Sequence, residues 1–403
     1  MSLRDAIVIG GGPAGCVAAT RLAQAGWSVT LVERERFPRR KVCGECLAAS
    51  NWPLLDALGV GEALRAQAGA PLREVAVAWR DVALAAPLPA FDGPPARRWG
   101  RAIARERLDP LLLAHARAAG VEVLQPWSVR ALDGRPGDFS CEVVRNGGTQ
   151  PIRRALRARV LIAAHGSWQP APRQGGRAAR PAPRDDDLLA FKSSWRDSAL
   201  APGRLWVIAF DGGYGGMVAG ADGIATVACC VRRGHLRAAR LFAGALPAAE
   251  AVHAVLLSQC ASLRDALRDA QLAAPWISAG PLRPGVHLSR GDAAVLRIGN
   301  AAGEAHPIIG EGMSMALQSA WLLADHLLAQ PDRRRPDPAL AARYAADWHA
   351  RFAPRIRLAA AAAHIAMRPA LCASALPLLR RWPALLTATA RAGGKTRCAV
   401  PAH

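Results

Sequence analysis

At 403 residues the chain is long enough for one or two closely packed domains, and its 51% hydrophobic and 21% charged content is ordinary for a globular enzyme and argues against a disordered chain. The formal charge of +21 rests on 52 basic residues, of which only Lys41, Lys192 and Lys395 are lysines; scattered arginines carry it, and nucleic acid is not the expected partner. Nine cysteines without framework spacing, two of them adjacent at Cys229 and Cys230, exclude a disulfide scaffold and lead to the expectation of reduced thiols in the cytoplasm.

The N-terminus carries no secretory pattern, and residues 5–34, "DAIVIGGGPAGCVAATRLAQAGWSVTLVER", read as strand, glycine turn, helix, strand. This is the context that a dinucleotide fingerprint requires. Gly10 makes the tight turn, Gly12 lets the backbone approach a pyrophosphate, and Gly15 lets the helix pack closely on the strand. With Pro13 and Ala14, these residues open a helix whose free N–H groups and partial positive charge suit phosphate. Glu33 follows Gly15 by eighteen residues, with Arg34 beside it. A carboxylate there accepts hydrogen bonds from an adenosine ribose and repels a 2′-phosphate, so the expected ligand is FAD or NAD, not NADP.

Next comes "RKVCGECL" (40–47), whose two cysteines fit a redox dithiol, half a zinc site, or part of a larger motif. A dithiol wants the pair at a helix N-terminus, and zinc wants a second pair at ligand spacing; neither is found in the sequence. Residues 71–88 and 186–232 alternate apolar and polar residues around Gly-rich turns, predicting an antiparallel sheet interrupted by the Pro- and Arg-rich loop 169–183. Lys192 falls mid-strand beside Phe191, either as a substrate-orienting lysine or as a solvent-facing strand residue, and Tyr214-Gly-Gly-Met217 lies further along that sheet. Residues 290–322 read as a strand "AVLRIG", a polar turn, a Pro-Gly loop and a helix from near Glu311. From Asp337 onward, short Ala- and Leu-rich helical segments broken by prolines are expected. Thirteen basic residues from Arg333 to the end face only Asp337 and Asp347, an arrangement suited to a membrane surface or to a lid over the active site. No apolar run reaches the roughly 18–20 residues of a membrane span.

Three separated segments resemble the p-hydroxybenzoate-hydroxylase-like flavoproteins, which include single-component monooxygenases, geranylgeranyl reductases and flavin-dependent halogenases. "GNAAGEAHPIIGEGM" (299–313) is similar to their second FAD segment, with Asn300 in place of the usual aspartate. "RAIARERLDPLLLAHA" (101–116) matches the element whose arginine, here Arg105, ends a strand in the family, and "ARVLIAAHGS" (158–167) has His165 where aspartate is usual. The resemblance covers roughly residues 1–330 and implies an α/β fold. Its Rossmann-like FAD-binding domain is discontinuous (1–70, 98–175 and 285–332). It also implies an antiparallel-sheet substrate domain (71–97 and 185–284) and a basic C-terminal helical segment (333–403).

It further implies that Asn300, Ala301, Gly303, Pro307, Gly310, Gly312 and Met313 hold FAD, with the loop after Pro307 aimed at the pyrimidine edge of the flavin. Cys43, Gly44 and Glu45 become a flavin-proximal loop, and Cys43, Glu45, Lys192 and Tyr214 the candidate catalytic residues. The expected function is that of an FAD-dependent monooxygenase. It would use NAD(P)H to hydroxylate an aromatic, polyketide or lipophilic small molecule in secondary metabolism, in the cytoplasm or at the inner face of the membrane. The alternatives are reduction of a prenyl or polyene double bond, for which "KVCGE" and the basic tail argue, then halogenation, then a catalytically idle flavoprotein. Gly215 and Gly216, where relatives carry bulky aromatics, are expected to leave room above the flavin ring.

Overall fold

The first strand, β1 (Leu3–Ile9), is a β-branched run whose Ala6, Ile7 and Val8 have no exposed surface, and it is followed by helix α1 (Pro13–Gln24) and β2 (Val29–Val32). Pro13 sits at the first helical position, where its fixed φ costs nothing. The structure, a computed structural model, describes residues 2–147, 151–167, 182–244, 246–289, 294–334 and 337–398. Most of the expected Pro- and Arg-rich loop therefore lies outside the described residues.

Along the chain come β3 (Glu74–Trp79), β4 (Val82–Pro87), helix α2 (Arg105–Ala118), β5 (Glu122–Leu124), β6 (Trp127–Arg135), β7 (Asp138–Arg145) and β8 (Arg153–Ala163). After them come β9 (Leu188–Arg196), β10 (Arg204–Phe210), β11 (Gly213–Ala219), β12 (Ala225–Arg232), β13 (Gln271–Leu282) and the short β14 (Leu296–Arg297). Four longer helices follow: α3 (Gly312–Leu328), α4 (Leu340–Ala366), α5 (Pro369–Arg381) and α6 (Ala384–Gly393).

One sheet runs β5-β2-β1-β8-β7-β6, with β14 paired to the C-terminal end of β8. Its β5, β2, β1, β8 and β14 are parallel, and β7 and β6 form an antiparallel extension. Helices α1 and α3 share one core beneath it, where Val17 and Leu22 meet Leu317, Ala320 and Trp321. Each such buried aliphatic side chain contributes about 1.5–3 kcal/mol.

The second sheet runs β13-β9-β12-β11-β10-β3-β4 and is antiparallel except at one junction, where β10 pairs with β3 in parallel. The period of two along β9 sends Phe191 into a core with Val252 and Leu256 and places Ala190 and Lys192 on the opposite face. The chain thus has the expected α/β, Rossmann-like architecture with a second, largely antiparallel sheet and C-terminal helices.

The C-terminal segment differs from the expected string of short pieces. Helix α4 continues for 27 residues through Pro354. Proline removes one intrahelical bond and kinks an unsupported helix, but here Trp348, Phe352, Ile356 and Ala359 are buried in the main core on both sides of it. Packing outweighs the local penalty. No single helix among the described residues is long and apolar enough to cross a membrane.

Candidate functional site

A cavity of about 560 Å³ runs from the turn after β1 to the face of the second sheet that carries Ala190. At one end lie Gly10, Gly12, Pro13, Ala14, Glu33, Arg34, Arg39, Lys41 and Arg105. At the other lie Ala190, Trp206, Val207, Tyr214, Gly215, Gly216, Met217, Cys229 and Cys230. Between them are Cys43, Gly44, Glu45 and Cys46 on one side and Asn300, Glu304, Pro307, Gly310, Gly312 and Met313 on the other.

The glycines of the first turn have different tasks. Gly10 has φ +110°, and a Cβ there would lie 2.5 Å from the Ala164 carbonyl oxygen. A Cβ on Gly15 would lie 1.8 Å from the Gly10 oxygen, so Gly15 supports the turn from behind and does not border the cavity. A Cβ on Gly12 would meet only the tips of Arg105 and Arg39, at 3.8 and 4.0 Å. That opening is the space a phosphate-binding turn keeps. The N–H groups of Ala14 and Gly15 have no intrahelical acceptor, as in the first turn of any helix.

Glu33 is buried, and its carboxylate accepts from the Gly11 N–H at 2.6 Å, the Glu35 N–H at 2.8 Å and Arg39 Nη1 at 2.9 Å. A carboxylate offers about four acceptor positions, so it can order the turn and still take a ribose hydroxyl. Arg105 does not end a strand, as the resemblance implied. It opens α2 and grips Asp109 one turn later through Nε at 2.6 Å and Nη2 at 2.7 Å. Composition alone did not point to Arg39 and Lys41 as wall residues. Lys41 lines the cavity with its ammonium pKa lowered to about 8, by burial first and then by Arg105 and Arg39.

The CGEC stretch is a loop that runs into the two-residue strand Cys46–Leu47, paired with Gly100–Ala102. It does not open a helix, the position a dithiol of the thioredoxin type would need. Glu45 holds a left-handed backbone, φ 57°, which costs a non-glycine residue about 1–3 kcal/mol. Its buried carboxylate accepts from Thr226 Oγ1 at 2.7 Å and from the Arg105 N–H at 3.2 Å, and forms an ion pair with Lys192. Lys192 is therefore not solvent-facing: it is 1% exposed, and it reaches the cavity only through Glu45. It is a positioning residue that ties the loop to the second sheet.

Asn300 lines the cavity and donates to Ser167 Oγ at 2.9 Å. Ala301 and Gly303, by contrast, lie off the cavity: a Cβ on Gly303 would come within 2.5 Å of Trp348, so close packing under α4 requires that glycine. Glu304 borders the cavity with its carboxyl pKa raised by burial, a residue the sequence did not single out. Tyr214 is buried in β11 and shares a 3.0 Å hydrogen bond with His306 Nδ1. Burial, with Arg232 adding to it, lowers the His306 pKa to about 4, which keeps the imidazole neutral at ordinary pH. Gly215 and Gly216 border the cavity as expected of them, with Trp206 also on that wall. Their missing side chains also let strands approach, since a Cβ on Gly215 would lie 2.8 Å from the Ala228 oxygen and one on Gly216 2.7 Å from the Trp206 oxygen.

The fit to a dinucleotide is tested by what the protein leaves unsatisfied. Among the described residues, His165 Nε2 and Arg39 Nε are buried without hydrogen-bond partners, both on residues of the cavity wall, and the Gly12 opening lies at the same end. These features match an FAD with its diphosphate at the α1 end. When bound, FAD supplies the redox chemistry.

Comparison with known proteins agrees. Residues 4–190 match the family described as FAD binding domain. That segment is a little under half of the chain, and it agrees with the FAD-binding reading of the cavity. A tryptophan 2-halogenase of Chondromyces crocatus is 37% identical over 32% of this chain and 23% of its own length. A menaquinone reductase of Mycobacterium tuberculosis is 29% identical over 52% of this chain and 53% of its own. A 6-methylpretetramide 4-monooxygenase of Streptomyces rimosus is 49% identical over 15% of each. The chain thus matches about half or less of these relatives' own lengths. Among solved structures, the myxobacterial chondrochloren halogenase shares the fold at a TM-score of 0.76 and 18% identity, with 97% of this chain and 91% of that one covered.

Proposed function

We propose that this flavoprotein activates oxygen for transfer to a lipophilic or aromatic small molecule, with hydroxylation as the favoured outcome and NAD(P)H as the electron donor. The observation that carries the reading is the cavity itself. It joins the nucleotide-binding turn to an apolar floor that includes Gly216, beside a neutral Tyr214–His306 pair that can hold or pass a proton at the substrate. A flavin bound in this cavity would be the reactive group. The chain's part is to orient the substrate, exclude water and place charge at the ring.

Halogenation is the second reading, supported by the halogenase relative and by the fold-level likeness to a halogenase. Double-bond or quinone reduction is the third, supported by the longest of the three sequence matches given above.

The test is stopped-flow absorbance of the chemically reduced, FAD-loaded protein on mixing with oxygen. A transient spectrum distinct from both oxidised and reduced flavin supports oxygen activation. Direct return to oxidised flavin sinks it in favour of the reductase.

The reading extends to an anionic lipid surface as the place where a lipophilic substrate is met. Leu371, Leu378, Trp382 and Leu385 are exposed on α5, on α6 and at the junction between them, next to Arg380 and Arg381. No acidic residue occurs after Asp347. Apolar side chains ringed by arginine, with an interfacial tryptophan, match the charge and polarity of such a surface.

A further inference from the structure

All three lysines of the chain stand at this one cavity. Lys41 lines it, and Lys192 pairs with Glu45, which lines it. Lys395 lies immediately behind the wall formed by Cys46 and Gly310: its Nζ is 3.0 Å from the Gly310 oxygen and 3.7 Å from Cys46 Sγ.

Lys395 arrives from the far end of the chain, and the segment that carries it is built in. At the end of α6 and just past it, Gly393, Gly394 and Lys395 are buried. The Ser50 N–H donates to the Lys395 oxygen at 3.3 Å, Ser50 Oγ to the Gly394 oxygen at 3.2 Å, and Gln318 Nε2 to the Arg397 oxygen at 3.0 Å. Gln318 is itself held by Arg355 Nη1 at 3.0 Å. The tail thus forms a strap across the start of α3 and the loop around Ser50.

The strap's ammonium meets a carboxylate. Glu311 is the N-cap residue of α3 and is 1% exposed, and Lys395 Nζ lies 2.8 Å from its Oε1. Apart from this ion pair, neither Glu311 oxygen has a hydrogen-bond partner among the described residues. An unpaired carboxylate at a helix N-terminus would offset the positive end of the helix dipole, about half a unit charge, where Gly312 and Met313 face the cavity.

We propose that Lys395 is a positioning residue for the flavin. By neutralising Glu311, it preserves the positive potential that the α3 N-terminus presents to the cavity, and so makes the reduction potential of the bound flavin depend on a docked C-terminal strap. This rests on the FAD reading of the cavity. A reduced flavin carries more negative charge than an oxidised one, so the charge behind this wall weights the two states differently.

The experiment is the two-electron reduction potential of bound FAD in the 403-residue chain. It compares wild type, Lys395→Met, Glu311→Gln and the double variant, with FAD affinity measured alongside. Lys395→Met is expected to disfavour the reduced flavin and Glu311→Gln to favour it, each by about tenfold, or about 30 mV for a two-electron couple. The double variant is expected to return to within about threefold of wild type. Both single variants break the same ion pair, so a purely structural role moves them in the same direction, and that result overturns the proposal. If Lys395→Met does not fold, an unchanged potential in Glu311→Gln overturns it equally. If no form binds FAD, the cofactor reading fails first, and this inference falls with it.

Discussion

Replacing Lys192 with methionine removes the ammonium and keeps the bulk. Glu45, 5% exposed, is left with the Thr226 hydroxyl and the Arg105 N–H as its partners. Taking one member from a buried ion pair costs about 3–5 kcal/mol. The two remaining hydrogen bonds to a charged acceptor hold the expected loss near the lower end, about 3 kcal/mol. For 403 residues the unfolding entropy is about 0.85 kcal/mol/K, so the melting temperature of the apoprotein should fall by about 3–4 °C. Lys192→Met with Glu45→Gln leaves no orphaned charge, and the double variant should recover at least half of that loss. The assay is thermal unfolding of all four members of the cycle with an FAD titration of each, because release of the strained Glu45 backbone frees Cys43 and Gly44 to move into the cavity. A drop of less than 1 °C for Lys192→Met, or strictly additive effects in the cycle, would refute the view that Lys192 pins this loop.

The nucleotide turn separates stability from binding. Gly10→Ala forces a Cβ to 2.5 Å from a carbonyl oxygen at φ +110° and should lower the melting temperature of the apoprotein. Gly12→Ala meets nothing closer than 3.8 Å and should leave that temperature within about 1 °C while weakening FAD at least tenfold in a fluorescence titration. Lys41, with its pKa lowered to about 8, is charged below that pH and loses its proton above it. Affinity for the anionic dinucleotide should therefore hold from pH 6 to about 8 and fall as pH rises further. In Lys41→Met, affinity should be lower throughout and lack that break, and a flat wild-type profile to pH 10 would remove Lys41 from the binding site. In vesicle flotation, the protein should bind anionic and not zwitterionic bilayers. Leu378→Glu with Trp382→Glu should abolish binding without altering FAD affinity, and equal binding to both lipids, or self-association at that face, would exclude the lipid assignment.

The βαβ start of the chain was legible because its signals are local. Gly10, Gly12 and Gly15 act within one turn, and Glu33 directly after the next strand, so spacing along the chain is spacing in the structure. The segment from Asn300 to Met313 stood out as a pattern, although the pattern did not separate the cavity-facing Gly310 and Gly312 from Gly303, which packs against Trp348. The role of Lys192 was not legible: its partner Glu45 lies 147 positions away, and strand alternation says which face a residue takes without saying what covers that face. The same holds for Lys395, where nothing in a basic tail shows that its last lysine turns inward to a carboxylate on α3. Helix α4 passes through Pro354 because contacts from distant strands outweigh a local breaker. Sequence by itself determined the nucleotide-binding unit, whose geometry is set by neighbouring φ and ψ angles. Only the tertiary structure decided which charges face one another across the cavity, because burial and pairing are properties of the assembled surfaces.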